Sequence, residues 1–226
     1  MSEFIAAQLH GMVDADYADF QRKLLPTVAP ERIVGVRTPA LRALAKTLWH
    51  NGMAEAFMAQ LPHATFEENQ LHTLALAQMR DFTACLAATE CFLPYVDNWA
   101  TCDQLLPRCF AQNTALLLPA VERWLAADHE YTVRFGMGML LKHYLDEHFE
   151  PHLLELVARV QRGEYYIRMM QAWYFAEALA KQPAAALPYI RQRRLERWVH
   201  NKAIQKATES RRIGAELKAQ LRSLRV

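Results

Sequence analysis

The chain has 226 residues, of which 52% are hydrophobic and 22% are charged, a composition typical of one globular domain with a sizeable core. Its seven glycines are few for a sheet-rich protein, because such proteins use glycine at turns and bulges. The N-terminus has neither the basic start nor the apolar core of a signal peptide, and no apolar run is long enough to span a bilayer, so we expect a cytoplasmic protein.

Helical periodicity dominates the chain. The segment TPALRALAKTLW predicts a helix with Thr38 as its N-cap and proline in the first turn, and TFEENQLHTLALAQM predicts a second helix that begins at Thr65. Three later segments, which begin at Glu130, Pro151 and Tyr165, carry apolar residues at three- and four-residue steps. The β-branched stretch RIVGV (Arg32–Val36) is short and isolated, so we expect an ordered loop there rather than a strand.

Together these signals predict about a dozen helices joined by short turns. Helices of similar length favour stacking in pairs, in which each pair buries its apolar face against the next. We therefore expect an all-α fold, an α-α superhelix of HEAT-like or ARM-type repeats that forms one curved domain over residues 1–226. The concave side of such a superhelix would be a natural cradle for an elongated ligand.

The charge is unevenly distributed. Residues 191–226 hold 11 Lys and Arg against 3 Asp and Glu, a net charge of +8, whereas the whole chain is only +2 and the rest is therefore −6. A basic end on an acidic body indicates a polyanionic partner. The alternative is a solvated pair of final helices that is rich in basic residues for solubility.

The segment NWATCDQLLP offers a first candidate site. Asp97 or Asn98 is a suitable N-cap, which places Trp99 in the first turn of a helix, and Asp103 four residues later shares its face. Pro107 then ends or bends the helix. The alternative is that Trp99 is a core aromatic residue and that Asp103 pairs with an arginine.

Two further segments carry candidate residues. Arg134 lies in an apolar stretch, where an arginine needs an anion such as Asp103 or a phosphate, and the nearby Gly136 and Gly138 favour close helix packing.

Trp173 lies in an aromatic-rich segment whose ordinary role is in the core. If Trp173 faced the same cleft as Trp99, the two indoles would clamp a ring or a sugar.

The sequence predicts no metal site or cofactor. His143, His148 and His152 lie near two acids, but their spacing is not that of H-E-x-x-H, and the four cysteines form no C-x-x-C pair. No serine or cysteine stands in a nucleophile elbow, and no glycine-rich phosphate loop is present in the sequence.

Four segments in chain order resemble the AlkD-like family of HEAT-like-repeat bacterial DNA alkylation repair enzymes. VGVRTPALRALAK is similar to the family's glycine–hydrophobic–x–Thr/Val–Pro segment, and NWATCDQLLP matches its W-x-x-x-D followed by proline. EYTVRFGMGMLLKHY is similar to its arginine-bearing helix, and YYIRMMQAWYFAEALAKQP to its helix with an aromatic start, a tryptophan and a closing proline. The resemblance runs from about Arg32 to about Lys206.

The resemblance implies an activity. The family excises cationic alkylpurines, such as 7-methylguanine and 3-methyladenine, from duplex DNA without a metal or cofactor. By this resemblance Asp103 would be the catalytic carboxylate, and Trp99 and Trp173 would contact the deoxyribose and backbone of the lesion. The remaining expected DNA contacts are Arg134, which would hold a phosphate, Arg37 from the first matching segment, and Lys202 and Lys206 from the basic end.

We expect a monomer that acts on duplex DNA containing alkylated bases and that binds neither membrane nor metal. Two alternatives stay open, since a fold does not by itself establish an activity. One is a non-catalytic relative that binds DNA structures, and the other is a helical-repeat scaffold that binds protein.

Overall fold

The computed structural model describes residues 2–226, which form fifteen α-helices and no strand. The α-helices are α1 (Ser2–His10), α2 (Ala15–Leu24), α3 (Thr38–His50), α4 (Ala54–Met58), α5 (Phe66–Leu76), α6 (Phe82–Phe92), α7 (Trp99–Gln104), α8 (Arg108–Ala111), α9 (Thr114–Leu125), α10 (Glu130–His143), α11 (His152–Ala158), α12 (Tyr165–Lys181), α13 (Pro183–Arg191), α14 (Arg197–Glu209) and α15 (Ala215–Ser223). Two short 3-10 helices lie at Pro30–Arg32 and Leu93–Tyr95. The predicted all-α class is confirmed, and the succession of helices is compatible with an α-α superhelical repeat fold.

The chain divides into two compact units, of which the first ends at Asn113 and the second runs from Thr114 to Val226. Each unit has a deeply buried helix against which at least two of its other helices pack. The single curved domain over residues 1–226 stays a prediction. None of the helices within residues 2–226 combines the length and the apolar character that crossing a membrane needs.

The central helix of the first unit is α5, in which all eleven residues are buried. It packs most extensively against α3 and also contacts α4, α6 and α7. Its first turn is a capping box, in which Thr65 accepts from the backbone N–H of Glu68 and the Glu68 carboxylate accepts from the backbone N–H of Thr65. The predicted start of this helix at Thr65 is confirmed.

The predicted ordered loop before α3 is also confirmed, and a buried carboxylate holds it. Glu67 is fully buried and accepts from the backbone N–H groups of Val34 at 2.9 Å and Gly35 at 2.7 Å. Gly35 has a φ of +95°, and a Cβ atom there would lie only 2.5 Å from the carbonyl oxygen of Asp14. Only glycine fits this position.

The predicted N-cap of α3 is wrong by one residue. The helix begins at Thr38, so Arg37 occupies the N-cap position without a side-chain capping bond, and Pro39 is the second helical residue. Proline is tolerated throughout the first turn, because the N–H groups there have no intrahelical acceptor. A threonine–proline pair therefore locates a helix start only to within about one residue.

In the second unit, α10 is the most deeply buried helix, with every residue from 131 to 141 buried. It packs against α9 and α12, and α12 in turn packs along α14. A Cβ atom at Gly136 would lie 3.2 Å from Cβ of Trp124, which explains this glycine by close packing on α9. A Cβ atom at Gly138 would lie 3.7 Å from Cε of Met170, an ordinary contact distance.

Candidate nucleic-acid interface

Helix α7 presents the first two candidate residues. The Asn98 side chain caps the helix by accepting from the backbone N–H of Thr101 at 2.8 Å, as the sequence predicts. Trp99 in the first turn and Asp103 in the last turn lie four residues apart and so share a face. Both side chains are half-buried, so neither is sealed inside the core.

Trp99 is held in place by the hydrophobic cluster of the first unit. Its indole Nε1 donates to the carbonyl oxygen of Leu24, the last residue of α2, at 3.1 Å. The ring packs against a cluster that includes Leu25, Ile33 and Phe66. Trp99 thus contributes to the core while part of its surface stays accessible to a ligand.

A bridge of side-chain amides fixes α7 against α5. Gln70 on α5 donates to Thr101 Oγ1 on α7 at 2.9 Å, and Gln104 on α7 donates to Thr73 Oγ1 on α5 at 2.9 Å. A six-residue helix is unstable alone, so these bonds set how α7 is rotated and where Trp99 and Asp103 point. Neither glutamine was among the predicted site residues. The available sequence signal for Gln70 is the polar pair Asn69–Gln70 within a buried helix.

Arg37 is exposed and already paired. Its guanidinium lies 2.8 Å from the Asp14 carboxylate, and its central carbon lies 4.8 Å from the ring centre of Tyr17. The pKa of Asp14 is lowered, first because the backbone N–H of Tyr17 donates to it and then because Arg37 does. A DNA phosphate at Arg37 would therefore have to share this guanidinium with Asp14.

Arg134 on α10 has only 4% of its surface exposed. Its Nη1 donates to the backbone carbonyl of Tyr166 at 2.7 Å, which ties α10 to the first turn of α12. Glu130 supports the same turn, because its carboxylate accepts from the backbone N–H of Tyr166 at 3.3 Å. The bond to Tyr166 positions α12, while the expected phosphate contact of Arg134 stays a prediction.

Trp173 lies in the middle of α12 and is half-buried. Helical spacing places it on the same face as Glu177, one turn later, whose carboxylate pairs with Arg212. On α14, which packs along α12, Lys202 and Lys206 are half-buried and also lie one turn apart. The second unit therefore carries three of the candidate DNA contacts on two adjacent helices.

Trp198, at the start of α14, was not among the predicted site residues. Tyr165, which is 52% exposed, meets it in a T-shaped contact with ring centres 5.8 Å apart. Arg168 and Lys202 lie 5.0 and 5.8 Å from the centre of the indole ring. Aromatic rings interleaved with cations are typical of nucleic-acid surfaces. The sequence feature that could have indicated this site is the single tryptophan within the basic residues 191–226.

The candidate residues divide between the two units. Trp99, Asp103 and Arg37 belong to the first unit, and the remaining four belong to the second: Arg134, Trp173, Lys202 and Lys206. The predicted convergence of the two indoles and the carboxylate on one hollow stays a prediction. Between residues 2 and 226, no group of three or more His, Cys, Asp or Glu side chains is placed to hold a metal ion.

Comparison with known families gives one match. The family model described as DNA alkylation repair enzyme matches residues 5–207, which covers nearly the whole chain and all seven candidate residues. No curated protein matches the chain. The extent of the family match establishes that the chain belongs to the DNA alkylation repair enzyme family.

Proposed function

We propose that the protein is a DNA N-glycosylase that hydrolyses the N-glycosidic bond of cationic alkylated purines in duplex DNA, such as 7-methylguanine and 3-methyladenine. The observation that carries the proposal is the half-buried pair of Trp99 and Asp103 on one face of α7, within a chain of the alkylation repair family. An accessible indole beside an accessible carboxylate suits a ligand that is flat on one side and positively charged.

The chemistry of the lesion explains why so few catalytic groups suffice. An N7- or N3-alkylated purine carries a positive charge, so cleavage of its glycosidic bond releases a neutral base and needs no general acid. Ordinary glycosidases need two carboxylates because their leaving group must be protonated. A single carboxylate, Asp103, would stabilise the oxocarbenium-like sugar and orient the attacking water. Such electrostatic stabilisation is typically worth about 3–4 kcal/mol, or roughly 10²–10³ in rate.

The tryptophans would supply recognition. An indole face attracts a cation by about 1–2 kcal/mol when the contact is desolvated, which favours an alkylated purine or its developing sugar cation over an unmodified nucleotide. Trp99 is well suited because the bond of its Nε1 to Leu24 fixes the ring before a ligand arrives. Trp173 would make the second such contact with the deoxyribose and backbone.

The basic residues would supply affinity for the duplex. Phosphate contacts provide most of the sequence-independent binding energy of DNA-binding proteins. Lys202 and Lys206 lie on the same side of α14 as Trp198, where cations and aromatic rings alternate. We assign this surface to the DNA backbone.

Release of free 7-methylguanine from methylated duplex DNA tests the proposal. The wild-type protein should release the base well above the spontaneous rate, and Asp103→Asn should lose most of this acceleration because its side chain carries no charge. Asp16→Asn is the matched control, since Asp16 is an exposed acid on α2. Equal release by wild type and Asp103→Asn at the spontaneous rate would contradict the enzymatic proposal.

The cluster of Tyr165, Trp198 and Lys202 supports a second candidate, a relative that binds DNA without cleaving it. This surface lies on α12 and α14 and does not need Asp103. Salt-sensitive binding to duplex or branched DNA without release of a base would favour this second function. No affinity for DNA at low salt would instead favour a scaffold that binds protein.

A further inference from the structure

A second cationic cleft lies in the first unit, outside the residues proposed so far. Its volume is about 400 Å³. One wall is the loop that follows α5, with Gln78 and Arg80, and the other is α8 with its C-cap, where Arg108, Cys109 and Gln112 lie. The cleft therefore brings two guanidinium groups from separate segments to one opening.

The two arginines are exposed and have no acidic partner. In the same unit Arg22, Arg32 and Arg37 each pair with an aspartate. Among the described residues, neither Arg80 nor Arg108 has a carboxylate oxygen within 4.0 Å. Two unpaired guanidinium groups that line one cleft are typical of a site for phosphate, which they bind with charge-assisted hydrogen bonds.

The side chains that line the cleft beside the two arginines are uncharged. The nearest acid in sequence is Asp81, which is not among the lining residues; it caps α6 by accepting from the backbone N–H of Ala84 at 2.7 Å, and its charge acts on Cys109. Burial raises the pKa of the Cys109 thiol, so this side chain stays neutral at physiological pH. The amide of Gln112 gives the cleft an uncharged hydrogen-bond donor.

The cleft lies at the end of α7 that carries Asp103. The bonds of Gln70 to Thr101 and of Gln104 to Thr73 show that α5 and α7 run side by side in the same direction. The C-terminal ends of both helices therefore lie together. Asp103 is in the last turn of α7, and the cleft opens between the chain that leaves α5 and the start of α8.

We propose that Arg80 and Arg108, with Gln112, bind a backbone phosphodiester of duplex DNA next to the nucleotide that Asp103 addresses. The inference rests on the proposed function for its substrate, duplex DNA, but it does not require catalysis. The cleft is large enough for a phosphate group.

The test is binding of a fluorescent, unmodified duplex, measured by anisotropy between about 50 and 200 mM salt. The double variant Arg80→Gln/Arg108→Gln should bind the duplex about tenfold more weakly than the wild type at about 50 mM salt. Because two phosphate contacts are lost, its slope of log K against log salt should also be about 1.8 smaller in magnitude. The matched control is Arg42→Gln/Lys46→Gln, which removes two exposed charges from α3. This control should keep the affinity and slope of the wild type.

Three outcomes would overturn the inference: wild-type binding by the cleft variant, equal losses in both double variants, or no binding of the duplex by the wild type. Circular dichroism checks that the cleft variant keeps its helical content. Release of 7-methylguanine by Asp103→Asn separates this inference from the proposed function, because it tests catalysis and not the cleft. If this variant released the base as the wild type does, only the catalytic proposal would fail.

Discussion

Glu67 is the residue on which the local geometry of the first unit depends most. Its carboxylate is fully buried and is the acceptor for the backbone N–H groups of Val34 and Gly35, with Val36 at a longer 3.4 Å. A buried N–H without an acceptor is costly, so the carboxylate determines the conformation of this loop. The loop leads directly to Arg37 and the start of α3.

We predict that Glu67→Gln lowers the free energy of unfolding by about 2–3 kcal/mol, because a charged double acceptor is replaced by a neutral amide whose NH₂ group opposes an N–H donor. Urea unfolding followed by circular dichroism measures the change. Glu55→Gln on the exposed side of α4 is the control and should change stability by less than about 0.5 kcal/mol. A Glu67→Gln variant as stable as this control would contradict the role given to Glu67.

A buried histidine pair lies in the same unit. His63 and His72 are joined by a ring nitrogen contact of 2.8 Å between Nε2 and Nδ1, and His72 stacks on Phe92 with ring centres 3.9 Å apart. Burial lowers the pKa of His63 to about 4, against an opposing effect of Glu68, and lowers the pKa of His72 to about 3. Both rings are therefore neutral in the folded protein at physiological pH.

This pair makes the protein sensitive to acid. Both folded-state pKa values lie below the ordinary value of 6.5, so the unfolded chain binds protons more tightly and stability is lost as the pH falls below 6.5. We predict a loss on the order of 4 kcal/mol from the pair between about pH 7 and about pH 4.5, measured by urea unfolding. His72→Phe should weaken this dependence, whereas His50→Gln at an exposed position should not. The same pH dependence in wild type and His72→Phe would disprove the assignment.

At the scale of the element, capping chemistry was the most informative part of the sequence. Thr65 and Asn98 both start helices where the sequence places them, because each has a side chain that accepts from the first-turn N–H groups. The predicted N-cap at Thr38 is wrong by one residue, because proline fits more than one position in the first turn of a helix. The bridge from Gln70 to α7 could not be predicted, since helical periodicity shows that a side chain is buried but not which partner it meets.

The two glycines of α10 give a matched pair of packing tests. Alanine at either position would raise helix propensity by about 1 kcal/mol. At Gly136 the new methyl group would press on Cβ of Trp124 at 3.2 Å, which no rotamer change relieves, so we predict a net destabilisation of about 1–3 kcal/mol. At Gly138 the flexible end of Met170 lies 3.7 Å away, so Gly138→Ala should be neutral or stabilising. Thermal or urea unfolding compares the two, and the opposite order would contradict the packing of α10 on α9.

For the whole molecule, composition and periodicity were sufficient to predict the all-α class. They did not predict the number of helices or the division of the chain into two compact units. About a dozen helices were expected and fifteen are present among residues 2–226, partly because short helices such as α4 and α8 have too few residues to display a repeat. The boundary between the compact units, at Asn113 and Thr114, has no glycine- or proline-rich linker that would reveal it. The family match spans this boundary, so family membership rests on both units.

The candidate site could be predicted only in part, because sequence patterns do not show which distant residues meet in the folded chain. The W-x-x-x-D spacing predicted that Trp99 and Asp103 share one face of α7, because helical geometry alone places them there. Their roles were inferred from the family resemblance and stay predictions. The anion expected at Arg134 stays a prediction. The bond that Arg134 donates to the backbone carbonyl of Tyr166, 32 residues away, could not be predicted, because no sequence pattern encodes that partner. Arg80 and Arg108 were not singled out, because an unpaired charge becomes visible only once its neighbours are placed.

The role of Asp103 is tested most directly by measuring the rate of base release and the binding affinity separately, on a duplex that carries one 7-methylguanine. Under single-turnover conditions, Asp103→Asn should release the base about 10²–10³ times more slowly than the wild type, because it removes charge stabilisation that acts mainly in the transition state. Its Kd for the same duplex should stay within about twofold of the wild type. An unchanged rate of base release, or a lower rate that is fully explained by weaker binding, would contradict the assignment of Asp103 as the catalytic carboxylate.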